Sequence, residues 1–131
     1  MGLTIVEIKL KKSFESKNSE TVDFMVDSGA VYSVVGRETL STLRIKPHRK
    51  KSFFLANGEK VEREIGDAYF EYQGIGGAAP VIFGEAGDSN LLGATTLEAL
   101  ELVLDPFKRE LRPMTMSLMG AWPDYESRRK Q

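Results

Sequence analysis

Val22-Asp23-Phe24-Met25-Val26-Asp27-Ser28-Gly29-Ala30 is the stretch on which the reading of this 131-residue chain turns. Val22, Phe24 and Val26 alternate with Asp23 and Met25, the period-2 pattern of a half-buried strand. The strand stops at a carboxylate, followed by a hydroxyl residue, a glycine and a small apolar residue. Alone, Asp-Ser-Gly is ordinary turn composition and reads as a surface turn. A second segment changes the odds. Leu91-Leu92-Gly93 precedes Ala94-Thr95-Thr96-Leu97-Glu98, and Leu102-Val103-Leu104-Asp105 follows soon after.

The flanking sequence reads as mostly β. Val6, Ile8 and Leu10 alternate with charged residues and predict a strand, closed by a polar turn over 16–20. A β-branched run over 31–35 leads into a short helix over 37–43. Residues 51–56 and 59–65 predict a hairpin about Asn57-Gly58, the dipeptide favoured in type I′ turns because both central residues take positive φ. Strands follow over 68–72 and 80–83, about a glycine-rich turn at 74–77. Thr95 and Glu98 have capping-box spacing, which starts a helix at Thr95. A terminal hairpin occupies 102–105 and 109–112, either side of a turn at Pro106. The expectation is one all-β domain over 1–118, with one or two short helices and a charged tail over 119–131.

Composition narrows the chemistry. The formal charge of −1, from 18 Lys and Arg against 19 Asp and Glu, gives no electrostatic warrant for a nucleic-acid binder. The absence of cysteine removes disulfides, thiolate nucleophiles and Cys-based zinc sites, and one histidine disfavours a multi-His metal centre. Any chemistry is then expected to be carboxylate chemistry, and a water activated by aspartates would need no metal or cofactor. No apolar run reaches the ~20 residues of a membrane span, and Glu7 and the lysines break any signal-peptide core. The expected location is cytoplasmic, with no membrane partner.

Together, Asp27-Ser28-Gly29-Ala30, the hairpin after it and Leu91-Leu92-Gly93 before a helix resemble the retropepsin-like aspartic proteases, the single-lobe members of the pepsin clan. The resemblance runs from about residue 5 to residue 111 and is closer to cellular and prokaryotic members than to viral ones. It implies an acid-protease β-barrel lobe acting as a two-fold homodimer. In that family pattern Asp27 is the catalytic carboxylate, and Ser28 holds the loop by a hydroxyl that crosses to the partner subunit. Gly29 lets backbone pass close to the carboxylate, Ala30 completes the supporting loop, and Leu91, Leu92 and Gly93 cross behind it. The hairpin over 53–61, with Ala56, Asn57 and Gly58 at its tip, takes the place of the flap. Gly74-Ile75-Gly76-Gly77 looks like a viral flap tip but lies too near Leu91, and reads as a body turn. It also matches Gly-x-Gly-x-x-Ala, but a strand rather than a helix follows, so a dinucleotide site is excluded. The acidic pair and the arginine of viral members are replaced by Val31-Tyr32 and by Ala94.

Aspartic catalysis needs two carboxylates sharing a proton, and the chain holds a single Asp-Ser-Gly. Asp88-Ser89-Asn90 lacks the glycine. The pair must then form across a two-fold axis, with a polypeptide as substrate. The alternative is a catalytically weak peptide-binding or dimerisation module of the same fold. His48 and its basic neighbours over 46–51 read as a solvated loop, with polyanion contact as a weaker third possibility. The alternation over 114–119 suits an interface strand, and Trp122 and Tyr125 suit a packing or interface anchor.

Overall fold

A computed structural model describes residues 3–115 of the chain. The elements are β1 (Ile5–Lys11), β2 (Ser19–Val26), β3 (Ser33–Gly36), α1 (Arg37–Thr42), β4 (Arg49–Phe54), β5 (Lys60–Tyr72), β6 (Ile75–Gly84), β7 (Leu91–Leu92), α2 (Ala94–Ala99), β8 (Leu102–Asp105) and β9 (Glu110–Pro113). Seven strands form one sheet in the order β1-β2-β7-β3-β6-β5-β4, and an additional β1–β5 pairing closes it into a barrel that leaves β4 at the edge. Strands β8 and β9 form a separate two-stranded sheet. This is the expected all-β lobe with two short helices. No helix among the described residues is long and apolar enough to cross a membrane.

The alternation read from the sequence becomes the barrel's interior. Val6, Ile8 and Leu10 of β1 are buried, as are Val22, Phe24 and Val26 of β2. Phe24 meets Phe70 of β5 with ring centroids 6.2 Å apart, and each aromatic so buried contributes about 2–3 kcal/mol. Strand β5 is long because it serves three partners, β4 along its first half and β6 and β1 along its second. Its first half pairs only with β4, from Arg49↔Ile65 to Phe54↔Lys60, whereas pairing with β6 begins at Ile65↔Ile82. The outer part of the β4–β5 hairpin therefore projects past the barrel as a two-stranded arm.

Three local expectations need correction. Of Asn57 and Gly58, only Gly58 has positive φ, at 88°. Its N–H donates to the Leu55 carbonyl at 2.9 Å, and the Leu55 N–H donates to the Glu59 carbonyl at 2.8 Å. The tip is thus a longer loop ended by a left-handed glycine rather than a two-residue type I′ turn. That type of turn occurs instead at Gln73-Gly74, with φ of 48° and 84°, between the paired residues Tyr72 and Ile75. Gly76 and Gly77 consequently lie inside β6 rather than in the turn. Finally, α2 begins at Ala94 with Gly93 at its N-cap and no side-chain cap, so the Thr95–Glu98 capping box does not form. The expected interface strand over 114–119 lies outside the described residues except for Met114 and Thr115, which are not in a strand. Trp122 and Tyr125 also lie outside them.

Candidate active site

Asp27 is the first residue after β2, at the point where the chain leaves the barrel wall. Its N–H donates to the Leu92 carbonyl at 2.9 Å, and its carbonyl accepts from the Ala30 N–H at 3.1 Å. The Gly29 N–H donates to Asp27 Oδ1 at 3.0 Å. Asp27, Ser28 and Gly29 are exposed in the single chain and Ala30 is half-buried. The loop is therefore a tight turn that presents its carboxylate outward.

Strand β7 braces this turn from behind. It inserts between the strands that flank the loop, parallel to β2 through Met25↔Leu91 and Val26↔Leu92, and antiparallel to β3 through Val34↔Leu91. Leu92 is fully buried. A helix leaves its first N–H groups without intrahelical partners, and here the loop supplies them. Ala94 N–H donates to the Ala30 carbonyl at 2.7 Å and Thr95 N–H to the Val31 carbonyl at 2.9 Å. That is why α2 needs no side-chain cap: its N-terminus is closed by the loop that carries Asp27. The crossing is also sterically tight. A Cβ on Gly93 would lie 2.6 Å from the Tyr32 carbonyl carbon and oxygen.

Asp27 opens into a groove of about 810 Å³. Ala30, Val31, Tyr32 and Val34 bound it on the loop and β3, while Phe53, Phe54, Leu55 and Val61 bound it on the β4–β5 arm. Met25, Ile82 and Leu91 add to a mostly apolar lining that also includes Lys51, Arg63, Asp88 and Ser89. The structure thus brings Asp27, Ala30 and Leu91 to one groove. Ala56, Asn57 and Gly58 lie at the exposed tip of the arm rather than in the lining, and Leu92 and Gly93 lie behind the loop.

Two groups of functional candidates were not singled out from the sequence. The first is an ionic brace at the root of the arm. Arg63 of β5 donates to both carboxylate oxygens of Asp88, at 2.9 and 3.2 Å, and the Glu85 N–H donates to Asp88 at 2.9 Å. Arg37 donates to Glu64 at 2.6 Å and to Glu85 at 2.9 Å, with its guanidinium over the Phe83 ring. The Arg63 hydrogen bonds hold the Asp88 carboxyl below the usual carboxylate range, against a smaller desolvation effect. The Arg37 hydrogen bond lowers Glu85 likewise. Asp88 lines the same groove as Asp27, but it is committed to Arg63. The second group is Ser33 and Thr96, both fully buried and hydrogen-bonded through their hydroxyls. No sequence pattern announces pairs that lie 25 or 63 positions apart, because only the barrel brings them together. His48 pairs with Asp67 at 3.2 Å on the surface.

No family model matches the sequence, and no curated protein matches it. Among solved structures, the chain is similar to the solution structure of Simian Foamy Virus (mac) protease, at 17% sequence identity and a TM-score of 0.48, over 71% of this chain and 92% of that one.

Proposed function

We propose that the chain is a retropepsin-like aspartic endopeptidase that works as a two-fold homodimer, with Asp27 as the catalytic residue of each subunit. The observation that carries this is the placement of Asp27: an exposed carboxylate, on a turn held by β7 and α2, at the mouth of an apolar groove bounded by a projecting hairpin. The exposure of Asp27, Ser28 and Gly29 in the single chain leaves the loop open to the same loop of a second copy, in a self-complementary contact. Ser28 then braces the paired loops across the axis. Val31-Tyr32 and Ala94 stand where viral members carry charges, which sets this dimer apart from theirs.

In the paired site the two carboxylates share one proton, since like charges so close do not both ionise. The ionised Asp27 accepts a proton from a water, whose oxygen attacks the scissile carbonyl carbon while the protonated Asp27 donates to the carbonyl oxygen. Collapse of the tetrahedral intermediate breaks the C–N bond: the carboxyl protonated in the first step passes its proton to the leaving nitrogen, and a hydroxyl of the intermediate returns its proton to the other carboxylate as the new C=O forms. The polypeptide lies extended in the groove. Edge strand β4, which pairs only with β5, offers backbone groups for strand addition, and the arm closes over the substrate to exclude water.

The test compares wild type with Asp27→Asn on an unfolded protein substrate between about pH 4 and 7. Wild type cleaves, and the variant loses roughly 10²–10⁴-fold in rate, the usual contribution of acid–base catalysis. Equal cleavage by both, or a strict monomer at high concentration, overturns the proposal. Binding of a statine-type analogue without cleavage by wild type points instead to a peptide-binding module.

A further inference from the structure

Behind the loop lies a polar contact that burial alone would disfavour. Ser33 and Thr96 are both fully buried, and buried hydroxyls are costly unless their hydrogen bonds are met. They meet each other, Ser33 Oγ to Thr96 Oγ1, across β3 and α2. Ser33 Oγ also accepts the Gly93 N–H at 2.9 Å. That N–H belongs to the Leu92–Gly93 peptide, whose carbonyl accepts the Asp27 N–H at 2.9 Å. A trans peptide is planar, so its N–H and C=O point in opposite directions and cannot turn independently. Fixing the N–H on Ser33 therefore aims the C=O at Asp27. An apolar pair at these positions would fill the same space without directing that peptide.

Resting on the endopeptidase proposal, we infer that Ser33, seated on Thr96, is a positioning residue that orients the Asp27 carboxylate through the Leu92–Gly93 peptide. It touches neither substrate nor reacting atoms. It sets the direction of the plane from which the Asp27 backbone hangs. Because the loop is otherwise exposed, this clamp acts from the barrel side, independently of any contact made across the dimer.

The experiment reads two quantities in Ser33→Ala, Thr96→Val and Thr96→Ser. The first is hydrogen exchange at the Asp27 and Gly93 amides, measured by NMR. The second is the split of peptidase kinetics between kcat and KM. In Ser33→Ala both amides exchange roughly five- to tenfold faster, the scale of one net hydrogen bond, while β1 and β2 amides keep their protection. Its kcat falls roughly 10- to 100-fold, as misplacement of a reacting group demands, with KM unchanged. Thr96→Val shifts both readouts in the same direction, and Thr96→Ser, which keeps the hydroxyl, stays at wild type. Should Ser33→Ala fail to fold, the Thr96→Val and Thr96→Ser comparison decides in its place. Unchanged Asp27 exchange and kcat in a folded hydroxyl-free variant overturns the inference, as does equal loss in Thr96→Val and Thr96→Ser. The exchange arm needs no cleavage and is repeated in Asp27→Asn, so it judges the clamp even if the peptidase proposal fails on its own test.

Discussion

Gly93→Ala is the sharpest probe of the crossing behind Asp27. Gly93 has φ of −96° and ψ of 175°, which any residue adopts, so the substitution carries no backbone strain and acts by contact alone. The new Cβ lies 2.6 Å from the Tyr32 carbonyl carbon and oxygen and 3.0 Å from the Ala30 carbonyl oxygen. These are backbone atoms and cannot rotate away. Relief requires the 30–32 segment to retreat from β7, at an overpacking cost of about 1–3 kcal/mol. The retreat lengthens the bonds from Ala94 N–H to Ala30 and from Thr95 N–H to Val31, now 2.7 and 2.9 Å, each worth about 1 kcal/mol net. The loss comes to about 3–5 kcal/mol, a large part of the 5–15 kcal/mol typical of a domain. At roughly 4 °C per kcal/mol, Tm falls by about 12–20 °C. The assay is thermal unfolding followed by circular dichroism, with Gly36→Ala as control. Gly36 has φ of −53° and no heavy atom within 4 Å of an added Cβ, so its Tm moves by no more than about 4 °C. If the two variants melt within a few degrees of each other, the tight crossing, and the bracing of the loop derived from it, is refuted.

The Gln73-Gly74 turn yields a stabilising prediction. Asn tolerates the left-handed conformation that Gln73 adopts at φ 48°, so Gln73→Asn gains about 0.5–1 kcal/mol, read as a higher urea midpoint with unchanged m-value; no gain contradicts the turn assignment. The ionic brace predicts a pH dependence. Asp88 and Glu85 are held below the ordinary carboxylate range by Arg63 and Arg37, so their stabilisation is complete above the unfolded value of about 4 and is lost as pH falls through the lower folded value. The drop in Tm between about pH 6 and pH 2.5 is therefore smaller in Asp88→Asn than in wild type, and an equal drop in both counts against the brace.

The barrel strands were legible because their signal is local. A strand with one wet face must alternate, and β1 and β2 do so at Val6, Ile8, Leu10, Val22, Phe24 and Val26. Turn chemistry was legible only in part. Asn57-Gly58 carries the stronger dipeptide signal, yet the paired register of β5 and β6 places the two-residue turn at Gln73-Gly74. The helix start failed for a related reason. Thr95 has capping spacing, but its own N–H is already taken by Val31 from a distant loop, so a side-chain cap had nothing to add.

By itself the sequence determined the strand-rich class, the carboxylate at the end of β2 and the apolar pair with its glycine, because residue type and spacing along a strand dictate which groups face water and where a chain can turn. Tertiary structure alone decided what holds the carboxylate in place. The insertion of β7 between β2 and β3, the closing of α2 by the Asp27 loop, the buried Ser33–Thr96 pair and the Arg63–Asp88 brace all join segments far apart in the chain. Hydrogen-bond satisfaction is a property of what crosses in space, and no local pattern encodes it.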